Sequence, residues 1–263
     1  MIKTKILFII ILALFLNVSL VLAVEPFGAN VLQNSSERAI PDNATSIPAI
    51  AGNVTELTIT GFSSTQSWQG YFGNVSGTIQ LADATDNVMY NWSLASPKGE
   101  IYASTNNSIV WNYIQCLNFD ASGTYGGNES TGGMIGGTNA DGTNLTILEN
   151  MFGVEPDDVD GVNETFSLLG TGHNLFYTNN IKFAPGQCRN TQVFSNAGQG
   201  EEDKFEEVLL YEPTTYSVVF ASILNQNSLG FDNNPHDFEM LVLENGHLTD
   251  TSSTPYYFYV ELE

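Results

Sequence analysis

Two short acidic segments each group several side chains that could bind a metal ion. Their members carry hard oxygen donors: Asp157, Asp158 and Asp160 in the first segment, and Asp232, Asn234, Asp237 and Glu239 in the second. Oxygen donors close together in one loop suit Ca²⁺. The first segment lacks EF-hand spacing, because Pro156 falls at the first loop position and Ser167 at the twelfth. A calcium site therefore competes with a simpler interpretation, two solvated acidic turns.

No motif for catalysis stands out. The sequence has no Gly-Xaa-Ser-Xaa-Gly elbow, no phosphate-binding glycine loop and no His-Glu-Xaa-Xaa-His zinc motif. His173, His236 and His247 lie far apart and follow turn residues, so we expect exposed loop positions. A glycosidase needs only two well-placed carboxylates, and 29 acidic residues neither exclude nor locate such a pair. We assign no catalytic residue.

Aromatic side chains offer a second kind of binding surface. Tyr257 and Tyr259 alternate with Phe258 and Val260, so they share one face of a strand with Glu261. Exposed tyrosines beside carboxylates can stack on sugar rings. Packing against a neighbouring strand explains them equally well. Trp68 begins another aromatic run, and burial in the core is its simpler interpretation.

The elements that must position these residues have a period of two, which is typical of strands. We predict strands at residues 54–60, 75–81, 88–92, 100–104, 109–117, 175–183, 192–195, 205–212, 216–224, 238–244 and 256–262. In this pattern Ile79, Leu81, Val88, Tyr90 and Trp92 face the core. Residues 216–224 are apolar on both faces, which indicates an interior strand. Residues 145–152 are the only segment that indicates a helix, with Gly153 as its end. The fold class is all-β, an antiparallel β-sandwich formed as one large or two small units with at most one short helix.

The N-terminus predicts export. Residues 1–23 combine two lysines, an apolar run and a small-residue cleavage site, as in a secretory signal peptide. The apolar run is long enough that an uncleaved membrane anchor is the alternative. Residues 24–52 form an extended leader that is either a free tail or an arm that adds a strand to a neighbour, and residues 53–263 form the β-sandwich. Cys116 and Cys188 are the only cysteines, so in an oxidising compartment we predict a disulfide.

Charge excludes several kinds of partner. The chain carries 7 basic and 29 acidic residues, a net charge of −22. Without a basic patch it cannot bind nucleic acid by neutralising phosphates, nor dock on an anionic membrane.

Glycosylation acceptors are confined to the first part of the chain. Nine Asn-Xaa-Ser/Thr sites follow the signal: Asn34, Asn43, Asn53, Asn74, Asn91, Asn106, Asn128, Asn144 and Asn163. Residues 166–263 contain ten asparagines but no acceptor. A glycan must face solvent. The split is either chance or the sign of a C-terminal surface that contacts a partner and stays bare.

Three runs carry a resemblance. Residues 68–77, 99–104 and 256–261 resemble those of an uncharacterised group of secreted, β-rich archaeal surface proteins. The resemblance implies an archaeal cell surface and no activity for any residue. We expect a secreted, glycosylated structural or adhesive protein of the cell surface that binds itself or other surface proteins. The alternatives are a carbohydrate-binding module that uses Trp68, Tyr257 or Tyr259, and thirdly a glycosidase. No cofactor is expected beyond the calcium considered above.

Overall fold

The computed structural model describes residues 25–33, 35–40, 42–94, 96–117, 145–155, 158–246 and 253–262. The predicted positions Asn34, Asn128, Asn144, Asp157 and His247 lie outside these ranges. In the described part of the chain, strands predominate: β1 (Phe27–Gly28), β2 (Trp68–Gly73), β3 (Thr78–Ala82), β4 (Val88–Ser93), β5 (Gly99–Ser104), β6 (Gln115–Cys116), β7 (Phe176–Thr178), β8 (Ile181–Phe183), β9 (Asn190–Gln192), β10 (Glu206–Glu212), β11 (Ser217–Ile223), β12 (Ser228–Leu229), β13 (Pro235–His236), β14 (Phe238–Leu243) and β15 (Tyr257–Leu262). The all-β prediction is confirmed.

Seven strands form a central antiparallel sheet in the order β1-β15-β5-β11-β10, with β6 and β9 both pairing along the far side of β10. The strand β11 lies in the middle, and side chains on both of its faces are buried, as Val219 and Phe220 show. The prediction of an interior strand at residues 216–224 is therefore confirmed. Its apolar residues point alternately into two separate cores, one on each face of the sheet.

Smaller elements cover both faces of the central sheet. On one face, the β2–β14 pair and two short helices, α1 (Leu145–Met151) and α2 (Val162–Thr165), enclose a core that includes Phe220 and Met240. On the other face, the β7–β8 hairpin and a 3₁₀-helix over Trp111–Tyr113 enclose a core around Tyr102. The helix α1 matches its prediction, and α2 corrects the expectation of at most one helix.

The disulfide links two short edge strands. Cys116 belongs to β6 and Cys188 precedes β9, and both strands pair with β10. The bond joins residues 72 apart in the sequence and is fully buried. The predicted pairing is confirmed. It holds Cys116 and Cys188, the two ends of this stretch of the chain, close together beside β10.

Several predicted strands are wrong or shorter than expected. Residues 54–60 form no strand and stay exposed, although their pattern alternates. Residues 109–117 form only the 3₁₀-helix and β6, and residues 175–183 bend at Asn179, which has a φ of 55°, into the β7–β8 hairpin. The pattern records which side chains share a face, but a strand also requires a neighbour to pair with.

Candidate functional site

Two carboxyl groups lie next to each other on one buried face of the central sheet. Glu100 on β5 and Glu261 on β15 are directly opposite each other, and both are buried. The hydroxyl of Tyr102, which lies on the same face of β5, is 3.4 Å from Oε2 of Glu100 and 3.2 Å from Oε2 of Glu261. The period of two places all three side chains on one face.

The β7–β8 hairpin completes this cluster. The backbone N–H of Asn179 donates to both carboxylate oxygens of Glu261, at 3.0 and 3.1 Å. Thr178 Oγ1 lies 3.1 Å from the Tyr102 hydroxyl. Burial, together with the charges of Glu100 and Glu261, raises the pKa of Tyr102 well above its usual value. Tyr102 therefore stays protonated and can donate a hydrogen bond to a carboxylate.

A groove opens beside the cluster. It has a volume of about 490 Å³, and Glu100 is one of its lining residues. Lys98, Tyr177, Asn225 and Gln226 also line it, and the Asn225 amide donates to the carbonyl of Asp203. Carboxylate, ammonium and amide groups next to an aromatic ring can bind a polar, hydroxyl-rich ligand. Sequence reasoning missed this site, because its residues come from three separated strands.

Glu207 and Glu239 are also buried, and each has one carboxylate oxygen without a hydrogen-bond partner among the described residues. Glu207 is 0% exposed, and its Oε2 accepts from the backbone N–H of Leu241 at 2.8 Å, while its Oε1 has no hydrogen-bond partner. Glu239 accepts from the N–H of Phe231 at 2.9 Å, and its Oε2 is likewise unpartnered. Burial raises the pKa of both carboxyls, that of Glu207 well above its usual value. Burial therefore shifts the titration of both carboxyls to higher pH.

The predicted calcium residues do not converge. Asp232 accepts hydrogen bonds from the N–H and the side-chain amide of Asn234, and His236 Nε2 lies 2.9 Å from its Oδ1. These hydrogen bonds lower the pKa of Asp232 to about 2. Asp237 accepts from two backbone N–H groups, those of Val75 and Asn227. Within the described ranges, no three His, Cys, Asp or Glu side chains are grouped as ligands for a metal ion.

The first acidic segment also serves loop structure. Asp158 Oδ2 accepts from the N–H of Glu155 at 2.9 Å, and its carbonyl accepts from Gly161. The side chain of Asp160 accepts from Thr65, while its carbonyl accepts from the Trp68 indole at 2.6 Å. Asp158 and Asp160 therefore stabilise the loop and its contact with residues 65–68 through hydrogen bonds.

Two histidines are buried, contrary to the expectation of exposed loop positions. His173 accepts at Nε2 from the N–H of Cys188 and lies with Nδ1 2.7 Å from the carbonyl of Asn174. Burial lowers its pKa, so it packs as a neutral ring beside the disulfide. His236 packs beside the rings of Phe72 and Phe231, which also contact each other.

Of the three predicted sugar-stacking residues, only Tyr257 has an exposed ring. Trp68 packs on Phe166 and Phe220 in the core, as its simpler interpretation predicted. Tyr259 packs edge-on against Trp111, and its hydroxyl donates to the carbonyl of Asn106 at 2.9 Å. Trp68 and Tyr259 are therefore positioned to stabilise the fold rather than to stack on a ligand.

The glycosylation acceptors differ in accessibility. Four of them are exposed: Asn43, Asn53, Asn74 and Asn91. Asn106 and Asn163 are half-buried, and their amide nitrogens donate to Ser217 and Glu164. The acceptor-free half contains β10 and β11, which are interior strands. Neither strand contains any of the ten asparagines of residues 166–263, so burial of these strands does not account for the split.

An apolar surface lies apart from the two cores. The β3–β4 hairpin pairs Ile79 with Trp92 and Leu81 with Tyr90, so these four side chains share one face. The prediction that they alternate is confirmed, but the prediction that they are buried is wrong, because each is about half exposed. We call this surface the hairpin face. Asn91 pairs with Gln80 on the opposite, polar face.

The hairpin is attached to the body at its base. Leu262 occupies the space beside Gly77, where an added Cβ would approach its Cδ1 to 2.2 Å. The N–H of Val75 donates to Asp237 at 2.8 Å. Beyond these contacts, β3 and β4 pair only with each other within the described residues. Among the described residues, no further strand covers the hairpin face.

The leader contributes one strand to the central sheet. Phe27 and Gly28 pair with Val260 and Tyr259 along the outer side of β15, and the N–H of Ala29 donates to the carbonyl of Phe258. The predicted arm thus pairs with its own chain over β1. No helix in the described part of the chain is long and apolar enough to cross a membrane.

Comparisons with known proteins return nothing for this chain: no family model matches, and neither does any curated protein or any solved structure.

Proposed function

We propose that the protein is a secreted, N-glycosylated component of a cell surface that assembles with copies of itself. The observation that carries this proposal is the hairpin face, a group of aromatic and aliphatic side chains left in solvent by a protein whose other strands enclose two cores. Apolar surfaces of this kind mark sites of protein association. An acceptor asparagine lies on the opposite face of the same hairpin, where a glycan would leave the apolar face free.

Charge sets the conditions for assembly. Removal of residues 1–23 takes away two lysines and leaves 5 basic and 29 acidic residues, a net charge of −24. Repulsion between copies therefore opposes association at low salt, and added salt screens it. We expect association to strengthen as salt rises.

The test is the molar mass of secreted residues 24–263 by light scattering after gel filtration, with the glycan mass subtracted. A defined oligomer or a polymer that grows with salt is the expected result. A monomer at all salt and calcium concentrations would contradict the proposal.

A second candidate function is carbohydrate binding in the groove beside Glu100. The presence of a carboxylate, amides and the ring of Tyr177 in one groove favours it. Neutral oligosaccharides should then change tyrosine fluorescence saturably, and Glu100→Gln should abolish the change. Release of reducing ends that requires both Glu100 and Glu261 would instead indicate a glycosidase, which uses two carboxyl groups about 5–10 Å apart. No response to any glycan would remove both possibilities.

A further inference from the structure

The hairpin is an incomplete sheet. Its strands β3 and β4 pair only with each other among the described residues, so each has one outer edge without a partner strand. A two-stranded sheet is marginally stable in water, and a third strand with a shared apolar face adds the missing stability. The hairpin therefore has both an apolar face and free backbone groups to offer a further strand.

The same chain contains a strand-like segment without a partner. Residues 54–60 alternate, with Leu57 and Ile59 on one side and Glu56 and Thr58 on the other. The structure places this segment outside every strand, without a hydrogen bond to any described residue and with Leu57 53% and Ile59 84% exposed. With three threonines, one valine and one isoleucine among its seven residues, the segment has the β-branched composition of a strand, and only pairing is lacking.

We infer that residues 54–60 of one copy add as a third strand to an outer edge of the β3–β4 hairpin of a second copy. Leu57 and Ile59 would then extend the hairpin face, continuing the row formed by Leu81 and Tyr90. The strands β3 and β4 hold no charged residue, and the segment holds only Glu56, on the opposite side. Few like charges would therefore approach each other at this contact, although the two copies as a whole repel each other through their net negative charge. This inference rests on the proposed self-assembly and names its interface.

The anchoring of β2 favours a second copy over the same chain. Residues 61–67 connect the segment to β2. Just before β2, the carbonyls of Gln66 and Ser67 accept from the backbone N–H groups of Gly246 and Glu244, which fixes this connection near one end of β14. Just after β2, Val75 is fixed to Asp237 near the other end of β14. The six residues of β2 span about 20 Å and separate the two attachment points. The segment and the hairpin of one chain therefore start from opposite ends of the β2–β14 pair.

Trp92 provides a local readout. Of the three tryptophans, Trp111 and Trp68 pack in the cores, whereas Trp92 is 49% exposed on the hairpin face. Strand addition should shift Trp92 emission to shorter wavelength and protect it from acrylamide. Full-length secreted protein would be followed by fluorescence and light scattering over a concentration series, with Trp92→Phe to assign the signal.

Three charge-matched variants separate this interface from others. Ile59→Asp in the segment and Leu81→Asp on the hairpin should each weaken association by about tenfold or more. Ile40→Asp also replaces an exposed isoleucine, outside the segment, and should associate like the unchanged protein. A synthetic peptide of residues 53–61 added to the Ile59→Asp variant should restore the shift of Trp92, which shows that the hairpin is intact.

The outcomes are distinct. Oligomers that persist in both Ile59→Asp and Leu81→Asp would overturn this interface and leave the proposed assembly standing. A monomer at every concentration would overturn both. A shifted Trp92 in a monomer would mean that the segment pairs within its own chain, which overturns the exchange between copies.

Discussion

Glu100 and Glu261 face each other across two neighbouring strands, and the single hydroxyl of Tyr102 lies within 3.4 Å of an oxygen of each. A phenol has one proton to donate, so it can donate to only one of the two carboxylates at a time. The cluster joins β5, β15 and the β7–β8 hairpin through Thr178 and Asn179. It therefore ties the edge of the central sheet to the layer that covers it.

Removal of the Tyr102 hydroxyl should destabilise the protein. In Tyr102→Phe, Thr178 Oγ1 and Glu261 Oε2 each lose the phenol hydroxyl as a hydrogen-bonding neighbour, although Glu261 Oε2 retains the N–H of Asn179. The loss of a buried hydrogen-bonding group of this kind costs about 1–3 kcal/mol. Urea denaturation at neutral pH measures the change in the free energy of unfolding. Tyr257→Phe is the matched control, because that ring lies exposed on the same strand as Glu261 and should leave stability unchanged. Equal losses in the two variants would contradict a structural role for the cluster.

Buried acids should make the protein more stable in mild acid than in base. Burial raises the pKa of Glu207 above its unfolded value, and also raises the pKa of Glu206 and Glu239. A carboxyl with a raised folded pKa contributes stability fully below its unfolded pKa, and that stability is lost as the pH rises toward the folded pKa. The free energy of unfolding should therefore fall as the pH is raised above about 4.5.

The variant Glu207→Gln isolates this effect. Gln resembles the protonated acid, so the variant should lose less stability with rising pH and exceed the unchanged protein by at least about 1 kcal/mol near pH 8. Glu56→Gln, which removes an exposed carboxylate, should keep the pH dependence of the unchanged protein. Parallel stability curves for the unchanged protein and Glu207→Gln would refute the assignment.

The disulfide should contribute a large share of the stability. It closes a loop between residues 72 apart, for which chain entropy predicts about 4 kcal/mol. Denaturation of the double variant Cys116→Ala/Cys188→Ala should occur at correspondingly lower urea. A reducing agent should lower the stability of the unchanged protein toward that of the variant and leave the variant unaffected. Equal stability with and without the bond would contradict this expectation.

Glycan occupancy should follow the exposure of each acceptor amide. Site-by-site glycopeptide analysis should find glycans at Asn43, Asn53, Asn74 and Asn91 and little at Asn106. The amide nitrogen of Asn106 donates to Ser217 at 2.9 Å, and a glycan on that nitrogen would break the contact. Ser217→Ala removes the hydroxyl that accepts this hydrogen bond, so it should raise glycan occupancy at Asn106. Full occupancy of Asn106 in the unchanged protein would show that glycans are added before this contact forms.

Strand alternation was readable from local sequence, whereas burial was not. The pattern places Ile79, Leu81, Tyr90 and Trp92 on one face, and the structure agrees. Their exposure depends on whether another layer covers the hairpin, which no local pattern records. For the same reason the alternation of residues 54–60 predicted a strand that has no neighbour in the structure.

The candidate site depended on the fold even more strongly. Glu100 and Glu261 are 161 positions apart in the sequence, and only the β5–β15 register brings them together. The sequence feature that could have indicated them is an acidic residue at an inward-facing position of a strand. Among 29 acidic residues, this feature does not single out Glu100 and Glu261. The buried histidines were missed likewise, because their turn-like neighbours predicted exposure.

The sequence by itself determined the all-β class, the interior position of residues 216–224, the helix at residues 145–151 and the pairing of Cys116 with Cys188. These features follow from periodicity, apolar content and the presence of only two cysteines. The tertiary structure alone decided which apolar faces are covered, which carboxylates meet and which amides are engaged. Those properties depend on contacts between residues far apart in the chain, and local sequence does not record such contacts.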